Sequence, residues 1–159
     1  MRVPGIGGPR QVVEGALAAL EAESLTVDAT SPVIDSAPLG PSRRRYANAV
    51  AVISSVCDPL ALLDRLQRIE SAFGRRRRGS RWRARPLDLD IVMWSGGAWV
   101  SERLAIPHPE FRARSFVLAP AAAIAPHWRD PATGLTLAQL CARLTRSRRV
   151  PSCGAWSGP

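Results

Sequence analysis

Apolar residues recur along the chain in two rhythms, one near 3.6 and one of two. PRQVVEGALAALEA sets Val12, Ala16, Leu17 and Leu20 at helical spacing, which predicts an amphipathic helix opening on Pro9. LTVDATSPVI follows as a strand over residues 25–29 that runs into a loop. SAPLGPSRRR, rich in Pro, Gly and Ser, is a loop. YANAVAVISSV is β-rich and predicts a buried strand with Val50, Val52 and Val56 on one face. A second helix has clear ends: Asp58 can cap it, Pro59 suits its first turn and Gly74 can close it. Between them Leu62, Leu63, Leu66, Ile69 and Phe73 form an apolar stripe, while Gln67 and Glu70, three apart, share another face.

LDLDIVMW then reads as a strand, SGG as a turn and AWVS as the returning strand. RSFVLAPAAAIAP predicts a short helix broken by Pro120. Thr136 and Gln139 make a capping-box pattern for LAQLCARL. The resulting order is helix, strand, strand, helix, strand, strand, helix, helix, without a regular βαβ series. That favours an α+β sandwich with a mostly antiparallel sheet. One domain is expected over residues 1–145. Residues 146–159, polar and rich in Gly, Ser and Pro, are expected to be a disordered tail.

Composition narrows the partners. The chain has 159 residues, 46% of them hydrophobic, and a net charge of +9 from 22 basic and 13 acidic side chains. Every basic residue is arginine. Such a chain suits an anionic partner: nucleic acid, an anionic membrane or a phosphate-bearing small molecule. Cys57, Cys141 and Cys153 form no C-x-x-C pair and read as free thiols in a reducing compartment. No stretch resembles a signal peptide or a transmembrane run, so the expected location is the cytoplasm, with no membrane partner.

The charge is also concentrated. In RRRRGSRWRARPLDLDIV, residues 75–92, seven arginines precede Asp88 and Asp90. On a strand, residues two apart project to the same side, so the two carboxylates point together while Leu87, Leu89 and Ile91 face the other way. Adjacent carboxylates repel, and Mg²⁺ is the natural counter-ion, since it takes oxygen ligands from one or two carboxylates plus substrate phosphates. A solvated strand face bridged by Arg85 is the competing reading. Guanidinium groups bind phosphate bidentately, so an arginine loop leading into a paired-carboxylate strand can hold a metal–polyphosphate complex from both sides. An arginine-rich nucleic-acid-binding domain is the other reading of the charge, but its basic residues would sit beside acids that repel phosphate.

Four stretches, APLGPSRRRYANAV, LQRIESAFGRRRRGSRWRARPLDLDIV, SERLAIPHPEFRARSFVLAP and IAP, together resemble the 6-hydroxymethyl-7,8-dihydropterin pyrophosphokinase family. The resemblance covers residues 13–144. It implies a ferredoxin-like sandwich that transfers pyrophosphate from ATP to a pterin alcohol in folate biosynthesis, releasing AMP. By this resemblance Asp88 and Asp90 bridge two Mg²⁺ ions, and Arg75 and Arg85 act with them in catalysis. Gln67, Glu70, Arg77, Trp82, Ile91, His108 and Arg114 would surround the nucleotide. Tyr46 and Phe116 would sandwich the pterin, Asn48 would read its edge, and Ser36 and Leu39 would contact it. ATP and a dihydropterin are then the partners, nucleic acid is not, and a monomer is expected.

The pattern departs from the family in places. The family opens with a strand and a Gly-Ser-Asn turn for which MRVPG has no counterpart, so the domain reads as truncated relative to the family. Arg83 and Ala84 stand where Gly and Pro are usual, and Pro109 where an aromatic is frequent. A catalytically impaired or repurposed homologue is the alternative these departures raise.

Overall fold

The computed structural model describes residues 6–36, 46–74 and 86–146. Its elements are α1 (Pro9–Ala22), β1 (Thr26–Thr30), β2 (Ile34–Ser36), β3 (Tyr46–Asn48), β4 (Ala51–Ser54), α2 (Pro59–Ala72), β5 (Trp99–Val100), β6 (Ala105–Ile106), a 3₁₀ turn (Phe111–Ala113), α3 (Ser115–Ile124) and α4 (Leu137–Thr145). Helices and short antiparallel pairs give an α+β fold. The pairs are β1 with β4, β2 with β3, and β5 with β6, all antiparallel. No helix among the described residues is long and apolar enough to cross a membrane.

The helix ends follow the local chemistry. Asp58 Oδ1 accepts from Ala61 N–H at 2.8 Å, and Pro59, which has no N–H to satisfy, opens α2. Gly74, at φ +89°, leaves it. Thr136 and Gln139 cap α4 reciprocally, at 3.2 and 2.9 Å.

Two apolar clusters divide the protein. Val12, Ala16 and Leu20 of α1 meet Leu66, Ile69 and Phe73 along α2, with Leu25, Leu87, Ile91 and Ile106 completing that cluster. Phe111, Leu118, Ala121, Leu137 and Leu140 form the second, between the 3₁₀ turn, α3 and α4. Val50, Val92 and Met93 pack against this second cluster, whereas Ala51, Ile53 and Leu89 pack against the first. The chain therefore passes between the two clusters at residues 50–51 and again at 91–92.

Four expectations need correction. The strand predicted over YANAVAVISSV is two strands, because Val50 breaks out of the pairing to meet buried Ser31. Its N–H donates to Ser31 Oγ at 2.9 Å, and its carbonyl accepts from Ser31 N–H at 2.8 Å. Val56 is fully exposed, beyond the end of β4. The LDLDIVMW strand forms no ladder with another strand among the described residues. Its polar backbone goes elsewhere: Leu89 N–H to Glu70 Oε1 at 2.8 Å, and Val92 C=O to His108 N–H at 2.9 Å.

The predicted hairpin shrinks to a single Trp94–Gly97 bridge, and Trp99–Val100 pairs forward with β6 instead. Trp94 and Trp99 hold that corner edge to face, 5.8 Å apart at 82°. A side chain at Gly96 would strike the Trp94 ring, 2.4 Å from its nearest atom. Finally, Pro120 does not break its helix. It lies buried inside α3, where packing offsets its missing N–H.

Candidate functional site

The alternation expected of LDLDI survives without a ladder. Leu87 and Ile91 are buried, and Asp88 and Asp90 are exposed on the other side. The segment is held from behind by Glu70, which is only 1% exposed although α2 is otherwise amphipathic. A carboxylate in that position needs donors, and the Leu89 N–H between the two aspartates supplies one. Glu70 therefore sits under the Asp88–Asp90 pair as a brace rather than on a solvated helix face. Gln67, one turn earlier, is half-buried.

His108 closes one side of this pair. Its backbone is bonded to Val92, two residues past Asp90, and its Nε2 stands 3.8 Å from Asp90 Oδ2. Its Nδ1 accepts from Glu110 N–H at 3.2 Å. In the neutral ring the proton is then on Nε2, directed at the Asp90 side.

Beside them opens a cleft of about 380 Å³, lined by Leu63, Leu89, Asp90, Ile91, residues 101–105, His108 and Pro109. Its lining mixes apolar side chains, Leu63, Leu89, Ile91 and Leu104, with the polar Asp90, Arg103 and His108. Arg103 is ion-paired to Asp64 of α2, tying the β5–β6 turn to that helix. Ile91, which the resemblance assigns to the nucleotide, is among the residues lining this cleft. Leu63, Ser101, Arg103, Leu104 and Ala105 also line the cleft and were not singled out from the sequence, although SERLAIPH, which carries the resemblance, contains four of them.

A second group lies on the β2–β3 pair. Ser36 is opposite Tyr46 in the register, and Ile34 opposite Asn48. Asn48 Nδ2 donates to Ser36 Oγ at 2.7 Å, so the amide is oriented before any ligand arrives. Tyr46 is 40% exposed, open enough for its ring to take a planar ligand. Phe116 is on the first turn of α3 and half-buried. Among the described aromatic residues, Trp94 and Trp99 form the one ring pair, so Tyr46 and Phe116 are not stacked on each other. Arg114 heads α3, its carbonyl accepting from Val117 and Leu118 N–H at 3.0 and 2.9 Å. Arg75, Arg77, Trp82, Arg85 and Leu39 lie outside the described residues, as do residues 1–5 and 147–159.

One electrostatic feature was not foreseen. Asp130 is fully buried, and the Arg112 guanidinium, hydrogen-bonded to it through two nitrogens, holds its carboxyl at about 2, below the usual 3.8. Chemically, the arrangement offers two exposed carboxylates, an imidazole N–H and a cleft of mixed apolar and polar lining close to one another. That combination suits a flat base attached to a polyphosphate and a hard cation.

Residues 5–126 match the family model described as 7,8-dihydro-6-hydroxymethylpterin-pyrophosphokinase. Three curated relatives carry the name 2-amino-4-hydroxy-6-hydroxymethyldihydropteridine pyrophosphokinase. That of Synechocystis is 38% identical over 143 residues, 87% of this chain and 73% of its own length. That of Pseudomonas aeruginosa is 43% identical over 125 residues, covering 77% and 76% of the two chains. That of Haemophilus influenzae is 44% identical over 114 residues, covering 70% and 71%.

Proposed function

The chain belongs to the 7,8-dihydro-6-hydroxymethylpterin-pyrophosphokinase family, and from that premise we propose that it transfers the β,γ-pyrophosphoryl group of ATP to 6-hydroxymethyl-7,8-dihydropterin in folate biosynthesis. The observation that carries this reading is that Asp88 and Asp90 are exposed on one side of their segment, with Asp90 lining the 380 Å³ cleft and standing 3.8 Å from His108 Nε2. The pterin hydroxymethyl oxygen attacks the β-phosphorus. The bond from that phosphorus to the α-phosphate bridging oxygen breaks, AMP leaves, and the hydroxyl proton passes to solvent. No covalent enzyme intermediate is needed, so positioning and charge stabilisation supply the catalysis.

Asp88 and Asp90 fit Mg²⁺. Among the described residues no cluster of three or more His, Cys, Asp or Glu could cage a metal. Two carboxylates that leave the remaining positions to phosphate and water are what Mg²⁺ commonly uses. When bound, the cation would neutralise phosphate charge; two ions are proposed. Leu63, Leu89, Ile91 and Leu104 would bury the adenine, and His108 would donate Nε2–H to a phosphate oxygen. Tyr46, Asn48, Ser36, Leu39 and Phe116 would take the pterin: one ring face on an aromatic, its edge on the Asn48 amide that Ser36 orients. Arg75, Arg77, Trp82 and Arg85 would close over the phosphates, with Gln67 and Arg114 flanking the nucleotide. Glu70 is better read as the brace of Leu89 than as a nucleotide ligand, because it is buried. The antiparallel β1–β4 pair with α1 and α2 sharing its cluster supports a ferredoxin-like sandwich. A monomeric, cytoplasmic enzyme goes with this reading.

The test is AMP formation from ATP, Mg²⁺ and the dihydropterin, with Asp88→Ala as control. Pterin-dependent AMP that the variant lacks supports the proposal. Pterin-independent ATP cleavage, or full activity in Asp88→Ala, overturns it.

A further inference from the structure

His108 and Arg114 stand on one short turn, residues 108–114, whose local bonding is slight. Phe111, Ala113 and Arg114 N–H groups bond back three residues at 3.1, 3.1 and 3.3 Å. Such a turn does not define a side chain's position by itself. Two anchors in its middle do. Phe111 is 1% exposed in the second apolar cluster. Arg112, the next residue, spans to Asp130, 18 positions on, through Nε at 2.8 Å and Nη2 at 2.5 Å. Its guanidinium also lies 4.6 Å from the Phe111 ring centroid.

Asp130 is itself fixed. Thr133 Oγ1 and Ala132 N–H donate to its carboxylate at 2.6 and 3.2 Å. Its backbone closes a loop with Leu135 C=O at 2.9 Å and Gly134 N–H at 2.8 Å. The carboxylate thus has four donors and is 0% exposed. A buried ion pair is a poor way to add stability, since apolar residues of equal volume do as well or better. What a two-pronged guanidinium–carboxylate contact adds is orientation.

We propose that Arg112 and Asp130 are positioning residues for the nucleotide end of the site. They hold the 108–114 turn so that His108 presents Nε2–H beside Asp90 and Arg114 stays at the head of α3. The ligand in this inference rests on the pyrophosphokinase reading above; the ring geometry does not.

The test uses the full-length chain with Asp130→Asn, Arg112→Gln and Arg112→Lys. Long-range ¹H–¹⁵N NMR reads the ring nitrogens, and the spectrum is simple because the chain has 2 histidines. His127→Gln assigns them, and His127 serves as the internal control. In the parent, His108 shows a bare Nδ1 and a protonated Nε2. In Asp130→Asn and Arg112→Gln both His108 nitrogens move towards averaged shifts, and those of His127 stay. The KM for ATP rises about tenfold, equivalent to about 1.4 kcal/mol, with KM for the dihydropterin unchanged. Arg112→Lys restores part of both effects. If Asp130→Asn fails to fold, Thr133→Val, which removes one donor, shows the same shifts at smaller size. Parental His108 shifts and parental KM for ATP in a folded but less stable Asp130→Asn overturn the proposal. If the parent chain makes no AMP, the pyrophosphokinase reading fails, while the His108 spectrum still decides the positioning role.

Discussion

Replacing Asp130 with Asn keeps the side chain's shape and removes its charge. The carboxyl lies at about 2 in the folded protein against 3.8 ordinarily, chiefly because Arg112 is hydrogen-bonded to it. That difference is worth about 2 kcal/mol of folding stability at neutral pH. The sign follows from the depressed value: the unfolded chain holds the proton more tightly, so the contribution is complete above pH 3.8 and is lost as pH falls through about 2. By pH 3 about half of it remains. Arg112 is 32% exposed and can turn to water when its partner is neutral. The loss should therefore stay nearer 2 than the roughly 3–5 kcal/mol of a fully buried broken pair. Urea unfolding of Asp130→Asn and the parent at pH 7, 5, 4 and 3 checks this. The stability gap should be constant from pH 7 to 5 and narrow below 4. A gap that is absent at pH 7, or that does not narrow on acidification, refutes the account of a charged Asp130 held by Arg112.

Three further outcomes are expected. Glu70→Leu leaves the Leu89 N–H without its acceptor and should cost about 1–3 kcal/mol in urea unfolding while lowering AMP formation; an active variant of parental stability would remove Glu70 as brace. Ser36→Ala frees the Asn48 amide, and steady-state kinetics should show KM for the dihydropterin up about five- to tenfold with KM for ATP unchanged. Leu104→Trp fills the 380 Å³ cleft, so KM for ATP should rise at least about tenfold with the dihydropterin unaffected.

Elements whose signals are local were legible. α1, α2 and α4 begin where Pro9, Asp58 with Pro59, and Thr136 with Gln139 predict. The period of two in LDLDI correctly put Asp88 and Asp90 on the outside and Leu87 and Ile91 inside. Errors arose where a local preference met a longer-range demand. Val56 continues a β-rich run, but the chain has already left β4 there. Pro120 is a breaker by itself, yet its burial in α3 outweighs one lost bond. LDLDIVMW has strand chemistry, but a ladder requires a neighbour, and Glu70 and His108 take Leu89 N–H and Val92 C=O instead.

The site divides along the same line. By the family resemblance His108 and the residues of YAN are candidates for the chemistry; sequence by itself determined the helix starts and the shared outward face of Asp88 and Asp90. It did so because residue type, spacing and helix caps act over a few positions. Tertiary structure alone decided what those groups lean on. It sank Glu70 beneath the aspartates, brought Leu63 and Leu104 to one cleft, and joined Arg112 to Asp130 across 18 residues. A buried charge must find its donors wherever the folded chain supplies them, and that supply is a property of the path of the chain rather than of any window along it.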